Sequence, residues 1–150
     1  MIIDKQNQFS ADAGDSPTTV GSTASTNIID LGVARDVGGA VTEQLMLLCQ
    51  VSTAFASAGS ATLQVQFQTA PDNGSGAPGT WVTLAQSDAM PKASLVPGYQ
   101  FLPGPLTDPT QRFVRLNYVV GAAAMTAGAL KAALVPSLDV QPVYARGYAA

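Results

Sequence analysis

Thr62-Leu63-Gln64-Val65-Gln66-Phe67-Gln68 alternates strictly, with Leu63, Val65 and Phe67 at every second position and glutamines between them. A repeat of two is that of an extended chain, whose successive side chains point to opposite sides. The stretch predicts a half-buried strand with an apolar face on a core and an uncharged polar face turned away from it. The same rule reads 111–120, where Arg112, Val114, Leu116, Tyr118 and Val120 share one face and Phe113, Arg115, Asn117 and Val119 the other. In 126–135, Leu130, Ala132 and Leu134 oppose Lys131. One wetter side per strand is the habit of antiparallel sheets.

Shorter blocks with strand character lie at 26–31, 45–52, 80–86 and 99–102. Turn formers separate them: Gly38-Gly39, Gly59, Asn73-Gly74, Pro97-Gly98, Pro103-Gly104-Pro105, Asp108-Pro109 and Gly121. The run Ala122-Ala123-Ala124-Met125 has good helix formers, yet Gly121 and Gly128 bracket it and leave it too short for a stable helix. The expected architecture is all-β, a jelly roll or antiparallel β-sandwich with extended terminal arms. Residues 1–25 read as an N-terminal arm and loop, because 10–26 is mostly Ala, Gly, Ser, Thr and Asp and shows no periodicity. Residues 26–135 read as the sandwich and 136–150 as an extended C-terminal tail, able to reach on the order of 50 Å.

The chain has 150 residues, enough for one domain without a metal or disulfide staple. It has no histidine and one cysteine, and 11% of its residues are charged, against roughly a quarter in ordinary soluble domains. Triads built on imidazole and His-ligated metal sites are therefore excluded. Cys49, inside the apolar run 45–51, reads as a buried inert thiol. The seven basic residues are scattered and the net charge is -3, which argues against a nucleic-acid footprint. The charge-free stretch between Glu43 and Asp72 is interrupted by Gln50, Ser52, Thr53 and Gly59, and the apolar run 116–130 holds Asn117 and glycines, so no membrane span is expected. Met1-Ile2-Ile3-Asp4-Lys5-Gln6 lacks the apolar core of a signal peptide, which predicts a product kept in the cytoplasm of the cell that makes it.

Few motifs carry chemistry. Gly74-Ser75-Gly76-Ala77-Pro78-Gly79 spells a dinucleotide-binding pattern, but the segment after it, Thr80-Trp81-Val82-Thr83-Leu84, is β-type rather than the helix the pyrophosphate needs. A hairpin loop is the expectation, exposed enough for Asn73-Gly74-Ser75 to be a formal glycosylation sequon. Asp4, Asp12 and Asp15 lack the spacing of a calcium loop and read as solvated arm residues. Asp30, Asp36, Asp72, Asp88 and Asp108 fall mostly at strand ends or turns, where aspartate caps backbone amides, so a paired-carboxylate enzyme is a remote reading. Trp81 and Tyr99 could form a stacking platform for a sugar, although sheet packing accounts for Trp81 better. Neither a cofactor nor a metal is expected.

Four strings, Met1-Ile2-Ile3-Asp4-Lys5-Gln6-Asn7-Gln8-Phe9, Asn27-Ile28-Ile29-Asp30-Leu31-Gly32-Val33-Ala34-Arg35-Asp36, Gln111-Arg112-Phe113-Val114-Arg115-Leu116-Asn117-Tyr118 and Met125-Thr126-Ala127-Gly128, resemble the capsid cement proteins of short-tailed bacteriophages, of the type first described for a Bordetella phage. The resemblance runs from Met1 to about Val135. It implies a non-enzymatic jelly-roll protein that assembles with itself, as a dimer rather than a trimer, on the outside of a phage head and clamps neighbouring major capsid subunits. The candidate contacts are Met1, Ile2, Ile3 and Phe9 in the first arm, Gln64, Gln66 and Gln68 on the polar strand face, and Tyr144 and Tyr148 in the tail. The other reading is a carbohydrate-binding β-sandwich of a virion surface or tail protein. The low charge fits a surface partly covered by neighbouring subunits, an argument for assembly.

Overall fold

The structure is a computed structural model that describes residues 5–34, 45–102 and 110–136. Its strands, in chain order, are β1 (Gly21–Ala24), β2 (Ile29–Asp30), β3 (Leu45–Ala56), β4 (Thr62–Ala70), β5 (Val82–Gln86), β6 (Met90–Pro91), β7 (Phe113–Gly121) and β8 (Ala127–Pro136). Every pairing is antiparallel. β4 and β7 form the centre of one sheet, with β1 and β2 in succession along the free side of β7 and β5 and β6 along that of β4. β3 and β8 form the second sheet.

The alternation seen in the sequence sets the faces. Leu63, Val65 and Phe67 of β4 and Val114, Leu116, Tyr118 and Val120 of β7 are buried against Leu47, Cys49 and Val51 of β3 and Leu130, Ala132 and Leu134 of β8. The antiparallel sandwich is thus as expected, but its described strands divide six and two rather than into the two equal sheets of a regular jelly roll. Part of the asymmetry comes from residues 99–101, which run beside β3 through Val51 N–H to Tyr99 C=O (2.9 Å) and Phe101 N–H to Cys49 C=O (2.8 Å) without becoming a strand. On the opposite side of β3–β8, Leu48, Ala133 and Val135 form a second, smaller apolar cluster.

The segment expected to be an N-terminal arm is instead part of the domain in its described portion. The Phe9 amide donates to Ala132 C=O (2.8 Å), Asp15 and Leu130 exchange two 2.8 Å backbone bonds, and β1 then crosses to β7. Residues 8–24 therefore tie the second sheet to the first. The ring of Phe9 is fully buried and meets Phe67 edge-on at 6.2 Å. Ser10, Asp15 and Ser25 are buried as well. These polar residues are held by hydrogen bonds rather than by an apolar stripe, so a search for hydrophobic periodicity passes over them. Gly14, at φ +93, is required here because a Cβ would lie 2.8 Å from the Leu130 carbonyl oxygen.

The alanine run is a turn between β7 and β8, with Ala122 at φ 62. The glycine-rich stretch is a hairpin loop between β4 and β5, closed by Asn73 N–H to Ala77 C=O (2.9 Å) and Gly79 N–H to Pro71 C=O (2.8 Å). Oδ1 of Asp72 accepts the amides of Gly74 (2.8 Å) and Gly76 (3.0 Å), so the loop's amides are taken up within the loop.

Candidate interaction surface

The face of the six-stranded sheet turned away from the core carries the glutamines. Antiparallel pairing sets Gln66 opposite Asn117 and Gln68 opposite Arg115. Cross-strand neighbours at about 5 Å allow their side chains to bond, and they do so in a continuous chain. Ser22 Oγ donates to Asn117 Oδ1 (2.8 Å), Asn117 Nδ2 to Gln66 Oε1 (2.8 Å), Gln68 Nε2 to the same Oε1 (3.3 Å) and Arg115 Nε to Gln68 Oε1 (3.0 Å). At the β5 side, Gln66 Nε2 donates to Gln86 Oε1 (3.3 Å) and Gln68 Nε2 to Thr83 Oγ1 (3.2 Å). Gln64 Nε2 reaches the Ser87 carbonyl (2.9 Å).

Gln64, Gln66 and Gln68 do come together on one face. Their amides, however, largely satisfy one another and the neighbouring strands. Gln68 is 9% exposed and Asn117 6%, so the ladder is close to an interior network and stiffens the sheet.

The chain of bonds ends at Arg115. Its guanidinium carbon lies 4.1 Å from the centre of the Trp81 ring, an arrangement worth about 1–2 kcal/mol when partly desolvated. Burial lowers the pKa of this group. Among the described residues no carboxylate lies within 4.0 Å of it.

Arg112, three residues earlier, is in the opposite condition. Its Nε and one terminal nitrogen donate to the two oxygens of Asp30 at 2.9 Å each, and the other terminal nitrogen binds Asp72. One guanidinium thus ties the end of β2 to the β4–β5 loop, beside a hollow of about 310 Å³ lined by Gly32, Val33, Ala34, Pro71, Asp72, Gln111 and Arg112. The Arg112 hydrogen bond, then the Gly32 amide, holds the Asp30 carboxyl below its ordinary range, whereas for Asp72 the Gly74 and Gly76 amides lead and Arg112 follows. The pair of carboxylates stays ionised, so neither is poised as a proton donor.

The remaining sequence candidates fall as follows. Phe9 is corrected from a contact residue to a core residue, since the N-terminal segment docks on β8. Met1, Ile2, Ile3, Tyr144 and Tyr148 lie outside the described residues. Trp81 and Tyr99 make no common platform, because Trp81 is stacked under Arg115 and Tyr99 meets Phe101 edge-on at 5.1 Å. Asp15 is corrected from a solvated residue to a buried one: it accepts from Thr26 N–H (3.2 Å), the Thr26 hydroxyl, the Ala11 amide (3.2 Å) and the Tyr118 hydroxyl (2.9 Å). Cys49 is fully buried and burial pushes its thiol pKa far up. Arg115 and Trp81 are what the sequence reading missed as a unit. Their signal was an arginine on a neutral strand face, but its partner lies 34 positions away across two strands.

The Bbp16 family model matches residues 14–134, a span from the segment before β1 to within β8. The family's name suggests a Bordetella phage protein. Among curated proteins none matches the chain.

Proposed function

The chain belongs to the Bbp16 family, which makes it a phage-related protein, and we propose that it is a capsid cement protein without enzymatic activity. It binds the outside of the head, bridges neighbouring major capsid subunits and stabilises the shell, with a second copy of itself as a further partner. Nucleic acid and membrane are not among its partners on this reading.

The observation that carries the reading is the family match over almost the whole sandwich, joined to the strings from Met1 to Val135 that resemble cement proteins. The outer sheet face supports it. A surface of neutral amides already bonded to one another can be covered by another protein with little charge desolvation, and wet, hydrogen-bonding contacts suit attachment to a shell that has already formed. Among the described residues no helix is long and apolar enough to cross a membrane.

Cryo-electron microscopy of intact virions tests the proposal. Many copies on the outer surface, each touching at least two capsid subunits, is the expected result. Absence from the virion, or presence at the tail alone, sinks it.

A further inference from the structure

In the middle of the ladder, Gln66, Gln68 and Asn117 are bonded to one another and to neighbouring side chains, and the series runs out at the charged end, Arg115. The Gln66 and Asn117 carbonyl oxygens accept donors from within the chain, as does that of Gln68, which receives the Arg115 Nε proton. The terminal nitrogens of Arg115 have no protein acceptor among the described residues, while the ring of Trp81 below and Gln68 beside it fix the plane of the guanidinium. A guanidinium held flat, partly stripped of water and lacking a counter-charge is a fork prepared for a planar anion, because two parallel N–H bonds match the two oxygens of a carboxylate. Arg112 shows the alternative within the same strand end, its fork already filled by Asp30.

From this contrast we propose that Arg115, seated on Trp81, receives an acidic side chain of a neighbouring subunit of the shell. The inference rests on the cement reading for the identity of that subunit. A protein carboxylate fits better than a nucleic-acid phosphate. Phosphate backbones are bound by several cations acting together, whereas here one arginine stands on a neutral face of a chain whose net charge is -3. The amide ladder itself adds no charge around Arg115, which makes the contact selective for one acidic group at one place.

The test is binding of the purified full-length protein to heads stripped of their cement layer, read by co-sedimentation, with thermal unfolding run on each variant. Wild type binds, Arg115→Gln binds at least tenfold more weakly while still unfolding in one cooperative transition whose midpoint falls only by the few degrees that loss of the Trp81 contact accounts for, and Arg115→Lys falls between them in binding, since it keeps the charge and loses the fork. Unchanged binding of Arg115→Gln overturns the inference. If Arg115→Gln does not fold, Arg115→Lys decides, and binding equal to wild type overturns it. An effect on self-association with head binding unaltered also overturns it, because the carboxylate would then come from a second copy. Failure of wild type itself to bind stripped heads counts against the cement reading, and is thereby separable from failure at Arg115.

Discussion

The Tyr118 hydroxyl, buried in the middle of β7, donates a 2.9 Å hydrogen bond to Oδ2 of Asp15, 103 residues earlier in the chain. Among the described residues no cation forms an ion pair with Asp15, whose carboxyl is held by hydrogen-bond donors, and burial leads the influences that raise the Tyr118 pKa well above its ordinary value. Removing one partner of a buried hydrogen bond costs about 1–3 kcal/mol. Tyr118→Phe is expected to lower unfolding free energy by an amount in that range. Asp15→Ala should cost more, because it leaves the Tyr118 and Thr26 hydroxyls without their acceptor. Urea unfolding of the two single variants and the double variant measures the coupling; a coupling near zero would show that the bond contributes nothing to stability.

Phe9 supplies the second prediction. Truncating a fully buried phenylalanine costs about 3–5 kcal/mol, and Phe9→Ala should destabilise the protein by that much. Deleting residues 1–9 therefore disturbs the sandwich itself, whereas deleting 1–4 keeps Phe9 in place and, on the cement reading, should weaken attachment to heads. Equal attachment by the 1–4 deletion and the full chain would remove that segment from the contact.

Gly128, at φ +132, lies under the ring of Phe55, where a Cβ would come within 2.2 Å of a ring carbon. Backbone strain and ring displacement act together at this position. Gly128→Ala is expected to cost more than about 2 kcal/mol. A thermal midpoint within a degree of wild type would refute this.

The acid limb of stability follows from Arg112. Both Asp30 and Asp72 have folded pKa values below the ordinary value of 3.8. A carboxyl shifted downward adds stability that is complete above its unfolded pKa and is lost as pH falls through the folded one. The β4–β5 loop and the end of β2 should accordingly loosen only below about pH 4. In Arg112→Gln, carbon-detected NMR titration of the side-chain carboxyls should show Asp30 rising further than Asp72, because Arg112 is the leading cause for the first and the loop amides for the second. Equal shifts would contradict this ranking.

Cys49 gives a prediction about access. The thiol is fully buried and held protonated by burial, so a disulfide reagent should label it no faster than the protein unfolds. Labelling at the rate of a free thiol in native buffer would show that the β3 edge opens locally.

The strands that carry a strict alternation, β4 above all and then β7 and β8, were legible because one face meets the core and the other does not. Residues 8–25 were not. Phe9 is a lone apolar residue in a polar stretch, and Asp15 is placed by Thr26 and Tyr118, partners that no local pattern reveals. The site was half legible for the same reason. Gln64, Gln66 and Gln68 announce a polar face, but which of its groups stays open depends on the register of β4 against β7 and on the loop that brings Trp81 under Arg115.

The stitching of residues 8–24 to β7 and β8 also sets the order of events at synthesis. Phe9 meets Ala132 through its backbone, so its place does not exist until 123 further residues have been made. At about 5–20 residues per second that is a wait of roughly 6–25 s with an aromatic ring in water. The polar company of Phe9 in the sequence, Gln6, Asn7, Gln8 and Ser10, then acquires a use that the finished fold hides: polar flanks lower the tendency of a waiting apolar residue to stick to neighbouring chains until the last strand arrives.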